Sequence, residues 1–498
     1  MKQARKTLGI IALTLICLAV STVHATPTDR IIIKVSETMR PAVLADGALA
    51  PRARERVSSL SAAVGHEVVY LRAMSGGADV VRLPRAMPLE QVQAMAEAMA
   101  RLPGVEYAEP DARVFPMEVL NDPLFGQQWH LQPVRTTPPL NYGIDAPAAW
   151  SITTGEAVVV AIVDTGILFA HEDLEGKVLE AGYDFISADP DGEYFTANDG
   201  DGRDPDPSDP GDWVTEEEAE ERECRVSHSS WHGTHMAGIV AASTSNGKGI
   251  AGVSWGAMIL PIRALGKCDG YSSDVIDAMR WAAGLPVAGV PNNHDAAKII
   301  NMSLGANQSC TGAWLDAVNA VHEKGSLIVA AAGNGGVSMS SSRNHVVPGV
   351  CPGVLTVAAT NKAGDRASFS NYGPQIDLGA PGIWVLSTSD QGTTSPLDDS
   401  HYENKSGTSV SAPQVAGVAA LLLSYDDSLD RQDLIYLLTS NVTPYPEDSL
   451  CAAGGGCGSG VLNAGLALMA VTEFDGRPPP PRPASSGGGG EGQYRSGL

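Results

Sequence analysis

The sequence predicts an α/β fold in which a parallel sheet carries helices on both faces, preceded by a small α+β unit. Two observations carry this. From about Asn121 onward, short apolar runs at residues 158–163, 257–262, 298–302, 327–332 and 354–358 alternate with helical stretches. Runs that are apolar at nearly every position suit strands buried on both faces, and intervening helices supply the crossovers a parallel sheet needs. The second observation lies upstream, where residues 29–118 have a different texture.

In that upstream segment, residues 30–35, 67–71 and 78–83 read as strands. Leu89, Val92, Met95, Ala96, Met99 and Leu102 then recur at helical spacing, with Pro88 before them and Gly104 beyond. Residues 105–110 close the unit as a last strand. The order suits a ferredoxin-like module, and no catalytic constellation appears in it. In the larger part, residues 411–424 and 431–439 read as a closing pair of helices.

The first 25 residues have the make-up of a cleavable export signal. Lys2, Arg5 and Lys6 precede an apolar stretch, and the segment ends in Val23-His24-Ala25. The apolar run is short for a bilayer span, so cleavage after Ala25 and a secreted product without a transmembrane anchor are expected. Beyond about Asp475 the chain turns to proline, then serine and glycine, which is linker composition. The expected divisions are therefore 1–25, 26–118, 119–475 and 476–498.

The net charge of -24 argues against sequence-independent binding to nucleic acid, whose phosphates such a surface repels. Cys17 leaves with the signal. Cys224, Cys268, Cys310, Cys351, Cys451 and Cys457 remain, and an even number in an exported chain reads as disulfides. The pairing is open from sequence. Joining chain neighbours in order is the simplest arrangement, and the alanines and glycines between Cys451 and Cys457 permit a small loop.

Four segments carry chemistry when read together. Asp164 ends a buried strand, where open α/β sheets hold their sites, although a capping carboxylate would look the same. His232 opens a stretch of small apolar residues in Trp231-His-Gly-Thr-His-Met-Ala-Gly238. His228 and His235 nearby raise a metal reading, but the spacing lacks the HExxH pattern. Ser409, in Gly407-Thr-Ser-Val-Ser-Ala-Pro413, sits where a helix begins, as a nucleophile or as a cap. Asn334 follows the strand at 327–332 and Gly333, as a turn residue or as a donor to an oxyanion.

Jointly these motifs, Val163-Asp164-Thr-Gly-Ile167, His232-Gly-Thr-His-Met-Ala-Gly238 and Gly407-Thr-Ser409-Val-Ser-Ala-Pro413, resemble the subtilisin family in sequence and in order. The resemblance implies a subtilisin-like fold and a serine endopeptidase in which Ser409 is the nucleophile and His232 the base. Asp164 would orient the imidazole, and Asn334 with the Ser409 N–H would form the oxyanion hole. It further implies that Ser303, Leu304 and Gly305 pair with an extended peptide along one wall of the S1 pocket. Ala331, Ala332 and Gly333 would form the other wall. The N-terminal module resembles the family's inhibitory propeptide, which implies self-cleavage between Arg113 and Asn121 and a monomeric mature enzyme. A catalytically silent peptide-binding module is the alternative from another class, and an intact set of motifs speaks against it. A lipase would need a Gly-x-Ser-x-Gly elbow and the order Ser, Asp, His, both absent here.

Residues 189–225 depart from a minimal member of the family. Asp199, Asp201, Asp204 and Asp206 stand at short intervals among glycines and prolines, which is reminiscent of a calcium loop without the EF-hand pattern. Calcium bound there as a structural cofactor is the expectation, against a plain solvated acidic loop.

Overall fold

The computed structural model describes residues 28–36, 51–87, 89–112, 120–452, 454 and 456–472. The expected signal segment, the Pro/Gly-rich tail and most of the expected propeptide cleavage region lie outside them. The chain divides into two compact units, residues 1–114 and 115–498.

Unit 1 contains β1 (Thr28–Val35), α1 (Pro51–Val64), β2 (Val69–Ala73), β3 (Ala78–Met87), α2 (Leu89–Ala100) and β4 (Val105–Pro110). Its four strands form an antiparallel sheet in the order β2-β3-β1-β4. Ile31, Ile33 and Val35 alternate inward from β1 and meet Val92, Ala96 and Met99 of α2 in one core. That alternation is the period of two a half-buried strand requires. α1 was not foreseen, because its arginine- and serine-rich sequence offers a thin apolar stripe, of which Leu60 is buried.

Unit 2 runs α3 (Ala146–Trp150), β5 (Val159–Asp164), β6 (Tyr183–Asp184), α4 (Glu216–Arg222), α5 (His232–Ala241), β7 (Met258–Arg263) and α6 (Ser272–Ala282). It continues with β8 (Ile299–Met302), α7 (Ala313–Glu323), β9 (Leu327–Ala331), β10 (Leu355–Thr360) and β11 (Leu378–Pro381). A hairpin of β12 (Val385–Ser389) and β13 (His401–Lys405) and the helices α8 (Ala412–Tyr425), α9 (Arg431–Ser440) and α10 (Ala464–Val471) complete it. Seven strands form a parallel sheet in the order β11-β10-β9-β8-β5-β7-β6.

The sheet is covered on both faces, as its uniformly apolar strands require. Val160, Ile162, Ile259, Ile299 and Val329 point to a core shared with α5, α8 and α10. Ala161, Val163, Leu260, Ile300 and Ile328 point to the opposite core, with α6 and α7. α8 passes through the first core with its residues from Ala412 to Leu423 all buried, which explains why it shows no polar face.

The structure joins Cys224 to Cys268, Cys310 to Cys351 and Cys451 to Cys457. This is the chain-neighbour arrangement, selected by proximity in the fold. The first bond ties the segment after α4 to the loop after β7. Among the described residues, no helix is long and apolar enough to cross a membrane.

Leu421 is fully buried in α8 at the centre of the first core. Leu421→Ala is expected to destabilise unit 2 by about 2–5 kcal/mol, the cost of a buried leucine and the cavity it leaves. Chemical denaturation followed by tryptophan fluorescence measures it.

Candidate active site

The sheet's C-terminal edge gathers the predicted residues. Asp164 is the last residue of β5 and wholly buried. Its Oδ1 accepts the Thr165 N–H at 2.8 Å and pairs with His232 Nδ1 at 2.7 Å. His232 is the first residue of α5, and its side chain keeps 23% of its surface exposed. One ring nitrogen is thus fixed against a carboxylate, which leaves Nε2 on the open side.

The approach of α5 is held by residues the sequence did not single out. Trp231, buried and with φ 48°, occupies the left-handed region, which a bulky side chain enters at a cost. Its indole N–H donates to Gly392 O at 2.9 Å, which anchors that conformation. The Thr165 hydroxyl accepts the Gly233 N–H at 3.0 Å and donates to Asp209 at 2.7 Å. Burial, with Asp212 nearby, pushes the Asp209 carboxyl up to about 7. Thr165 thereby clips the end of β5 to the start of α5.

Burial on its own would lower the His232 pKa, but Asp164, by charge and by hydrogen bond, outweighs it and raises the pKa above the ordinary value. Lys405 opposes this shift and Asp212 adds to it. His235 differs. Its Nε2 bonds to Glu403 O at 3.0 Å, and burial, with Lys405 also opposing the charge, holds its pKa well below the usual value. It is a neutral packing residue beside the site.

Ser409 lies in the turn that runs into α8, ahead of the helix's first residue, Ala412, and is half-buried. Its carbonyl accepts the Ser303 hydroxyl at 2.7 Å. Asn334 is held by Thr408, whose N–H and hydroxyl both donate to Asn334 Oδ1, at 2.8 and 3.0 Å. With its oxygen so engaged, the amide must turn its N–H groups the other way. A Cβ placed on Gly407 would stand 2.8 Å from Ser409 Oγ, 3.3 Å from Asn334 Nδ2 and 3.6 Å from Ser409 N. The three groups therefore surround one small space, and glycine at 407 leaves it open. Among the described residues, no hydrogen bond closes His232 Nε2 to Ser409 Oγ, a link that often tightens only when substrate is bound. Thr408 is the candidate site residue that sequence reasoning missed, because its contact with Asn334 spans 74 positions of the chain.

The chain belongs to the subtilase family. Residues 155–458 match the family's sequence model. The chain is 40% identical over 420 residues to the extracellular basic protease of Dichelobacter nodosus, covering 82% of this chain and 65% of that protein. It is also 40% identical over 401 residues to an extracellular protease of Xanthomonas campestris pv. campestris, covering 80% of this chain and 65% of the relative. It therefore spans less than two thirds of the length of either. A solved protease structure from Pseudoalteromonas arctica superposes with a TM-score of 0.64 at 40% identity, over 71% of this chain and the whole of that one. The α/β architecture is the subtilisin-like one.

In this subtilase the segment Ser303, Leu304 and Gly305 runs on past the end of the β8–β9 ladder and lies between two cavities. The larger, about 830 Å³, extends from His232 towards the Cys224–Cys268 bond. The smaller, about 380 Å³, is bounded by Gly305 on one side and by Gly333 and Asn334 on the other. Of the residues expected on the second wall, Gly333 reaches that cavity. Ala331 ends β9, and Ala332 packs inward against Met339, Ala358 and Ile376. Gly333, with φ 96°, turns the chain out of the strand direction, while Ala332 before it stays in the core.

The four aspartates expected to bind calcium do not form a cage. The cation that Asp199 meets is the guanidinium of Arg263, which also engages Asp184. Asp204 and Asp206 turn back on the N–H groups of Asp206 and Ser208, and Asp201 is exposed. Among the described residues, no group of three or more metal-ligating side chains is gathered. A buried arginine thus brings positive charge to two of the closely spaced carboxylates, Asp184 and Asp199.

The His232 ring is expected to titrate above about 6.5. Because Lys405 lowers that value, Lys405→Met should move the titration to higher pH. Imidazole proton NMR across pH 5–9 reads both; an unmoved titration would count against this charge balance.

Proposed function

We propose that this subtilase is a secreted serine endopeptidase, made as a zymogen, that cleaves protein chains through an acyl-enzyme on Ser409. The observation that carries the reading is the Thr408–Asn334 lock beside Ser409, at the same sheet edge as the Asp164–His232 pair. A silent binding module has no use for an amide immobilised in that orientation.

In the reaction, the Ser409 hydroxyl attacks the scissile carbonyl carbon and its proton passes to His232 Nε2. Asp164 holds the imidazole through Nδ1 and stabilises its charged form. The carbonyl oxygen becomes an oxyanion and receives the Asn334 Nδ2 and Ser409 N–H donors. Collapse expels the amine, which takes the proton from His232. Water then attacks the acyl carbon as His232 takes its proton, and His232 passes that proton to Ser409 Oγ as the acyl–oxygen bond breaks and the peptide acid leaves. His232 must start neutral, so its raised pKa sets the acid limb: activity falls as pH drops through that value.

Ser303 to Gly305 offers a backbone edge on which an extended peptide can lie, a mode that suits broad protein substrates. The compactness of unit 1 supports its role as a propeptide that guides folding and inhibits until self-cleavage. Export is supported by the leader-like first 25 residues and by the extracellular names of the relatives. Disulfides suit that compartment.

The test pairs wild type with Ser409→Ala. Wild type should digest casein, lose roughly its first 90 residues after the leader and take a fluorophosphonate label, with the variant full length and inert. Uncut, unlabelled wild type at neutral to alkaline pH would sink the reading. A finer test addresses the lock. Thr408→Val leaves Asn334 Oδ1 one hydrogen bond short, and kcat is expected to fall about 10-fold or more with KM little changed. Asn334→Ala should cost about 10²–10³ in kcat, the magnitude known for the corresponding subtilisin donor. Steady-state kinetics on a peptide nitroanilide separates the two constants; an effect on KM alone would remove Thr408 from the oxyanion hole.

A further inference from the structure

The smaller cavity holds a charged group that nothing else in the fold uses. It lies between Gly305 and Gly333 and includes Asn334, so it opens directly beside the space around Ser409 Oγ. On the reading above, a carbonyl carbon bound at Ser409 directs the side chain of its own residue, P1, into this cavity. A Cβ on Gly305 would come within 2.4 Å of the Val346 side chain, so glycine there keeps the entrance from closing.

Arg343 lines the cavity and is exposed. Among the described residues, its guanidinium has no carboxylate within 4.0 Å and no hydrogen-bond partner; the residue's own bond is from its backbone N–H to Ser341. The chain has 33 Lys and Arg against 57 Asp and Glu, yet no acid stands beside this cation at the cavity. Arg203, Arg222 and Arg263 are all paired with aspartates.

The rest of the lining agrees with that charge. None of it is acidic, and Asn307, Asn344 and Asn371 make it polar. Asn371 is spent on structure, donating to Ala332 O at 3.0 Å and accepting from the Gly335 and Val337 N–H groups at 3.1 Å each. Asn344 donates to Ser338 O at 2.8 Å. The guanidinium is therefore the lining's uncommitted charged donor. Val337 and Val346 contribute an apolar share that would serve the methylenes of a longer side chain.

We infer that Arg343 is a specificity-determining residue, and that this cavity selects substrates with an acidic side chain, glutamate above aspartate, at P1. The proposal rests on the endopeptidase reading. A guanidinium fork is suited to a carboxylate, and placement at a polar cavity wall strengthens the pair relative to open water. Lysine or arginine at P1 would face a like charge without a partner. The chain's overall negative charge repels acidic peptides at long range, so the attraction must be local.

The experiment measures kcat/KM on a series of tetrapeptide nitroanilides that differ only at P1: Glu, Asp, Gln, Phe and Lys. Wild type, Arg343→Gln and Arg343→Glu are compared, each with its active sites counted by fluorophosphonate titration, so that loss of folded enzyme cancels. In wild type the Glu/Lys ratio should be about 10 or more, shrinking as salt rises from about 0.05 to 0.5 M. Arg343→Gln should bring the ratio towards one, and Arg343→Glu should invert it. Hydrolysis with Phe foremost and a Glu/Lys ratio at or below one in wild type overturns the inference, as does a ratio indifferent to Arg343. Either result leaves the endopeptidase reading standing. Failure to hydrolyse any member, with no label on Ser409, overturns both.

Discussion

Asp164 imposes the constraint on which the rest of the site depends. It is a carboxyl group taken wholly out of water at the end of a strand that is buried on both faces. Such a group is tolerable when polar partners meet it, and here the Thr165 N–H and the His232 ring both come to one oxygen. Among the described residues the other oxygen, Oδ2, is buried with no partner, so the pair with His232 carries most of the compensation. That fixes where α5 must begin. The strained Trp231 and the Thr165 clip are the local consequences, since each brings the first turn of α5 against the end of β5.

The strand next to β5 faces the same demand and answers it differently. Arg263 is in register with Asp164 on β7, equally buried, and is matched by Asp184 at the end of β6 and by Asp199 from the acidic loop. Two acid–base pairs, Asp164 with His232 and Asp184 with Arg263, thus lie side by side along the C-terminal edge. Burial, partly offset by the arginine, pushes the Asp184 carboxyl up to about 7. The acidic loop is therefore drawn into the fold through Asp199 by a protein cation.

How far the sequence reveals this depends on the range of the interaction. The five long parallel strands stand within one or two residues of their apolar runs, because burial on both faces writes itself into consecutive residues. Asp164, His232, Ser409 and Asn334 were legible as candidates because each sits in a local motif at an element's end. Thr408 was not, since its role depends on Asn334, which lies 74 positions earlier in the chain. Arg263 has the same character: a lone arginine closing an apolar strand shows no sign of the aspartates that surround it. The two-residue β6 escaped for a simpler reason, having too few residues to establish a period. Ala332, placed on a cavity wall by the family resemblance, packs with Met339, Ala358 and Ile376, a contact among residues distant in the chain that no local motif shows.

The departure from a minimal fold lies between β6 and α5, and its effect is to shape one side of the cleft. α4 is fixed by a reciprocal cap between Thr215 and Glu218, and Glu218 also pairs with Lys267 at 2.7 Å. The Cys224–Cys268 bond follows at once, so the same two loops are joined by charge and by covalency. Both loops line the larger cavity on the far side of Ser303 to Gly305. A wall made only of loops would be free to adjust to each substrate. This one is anchored at Asp209 to the clip that positions His232, and at Cys268 to the loop leaving β7. Rigidity in the Asp164–His232 pair and in the cleft wall therefore has a common source, and the insertion shapes the candidate site as much as the sheet does.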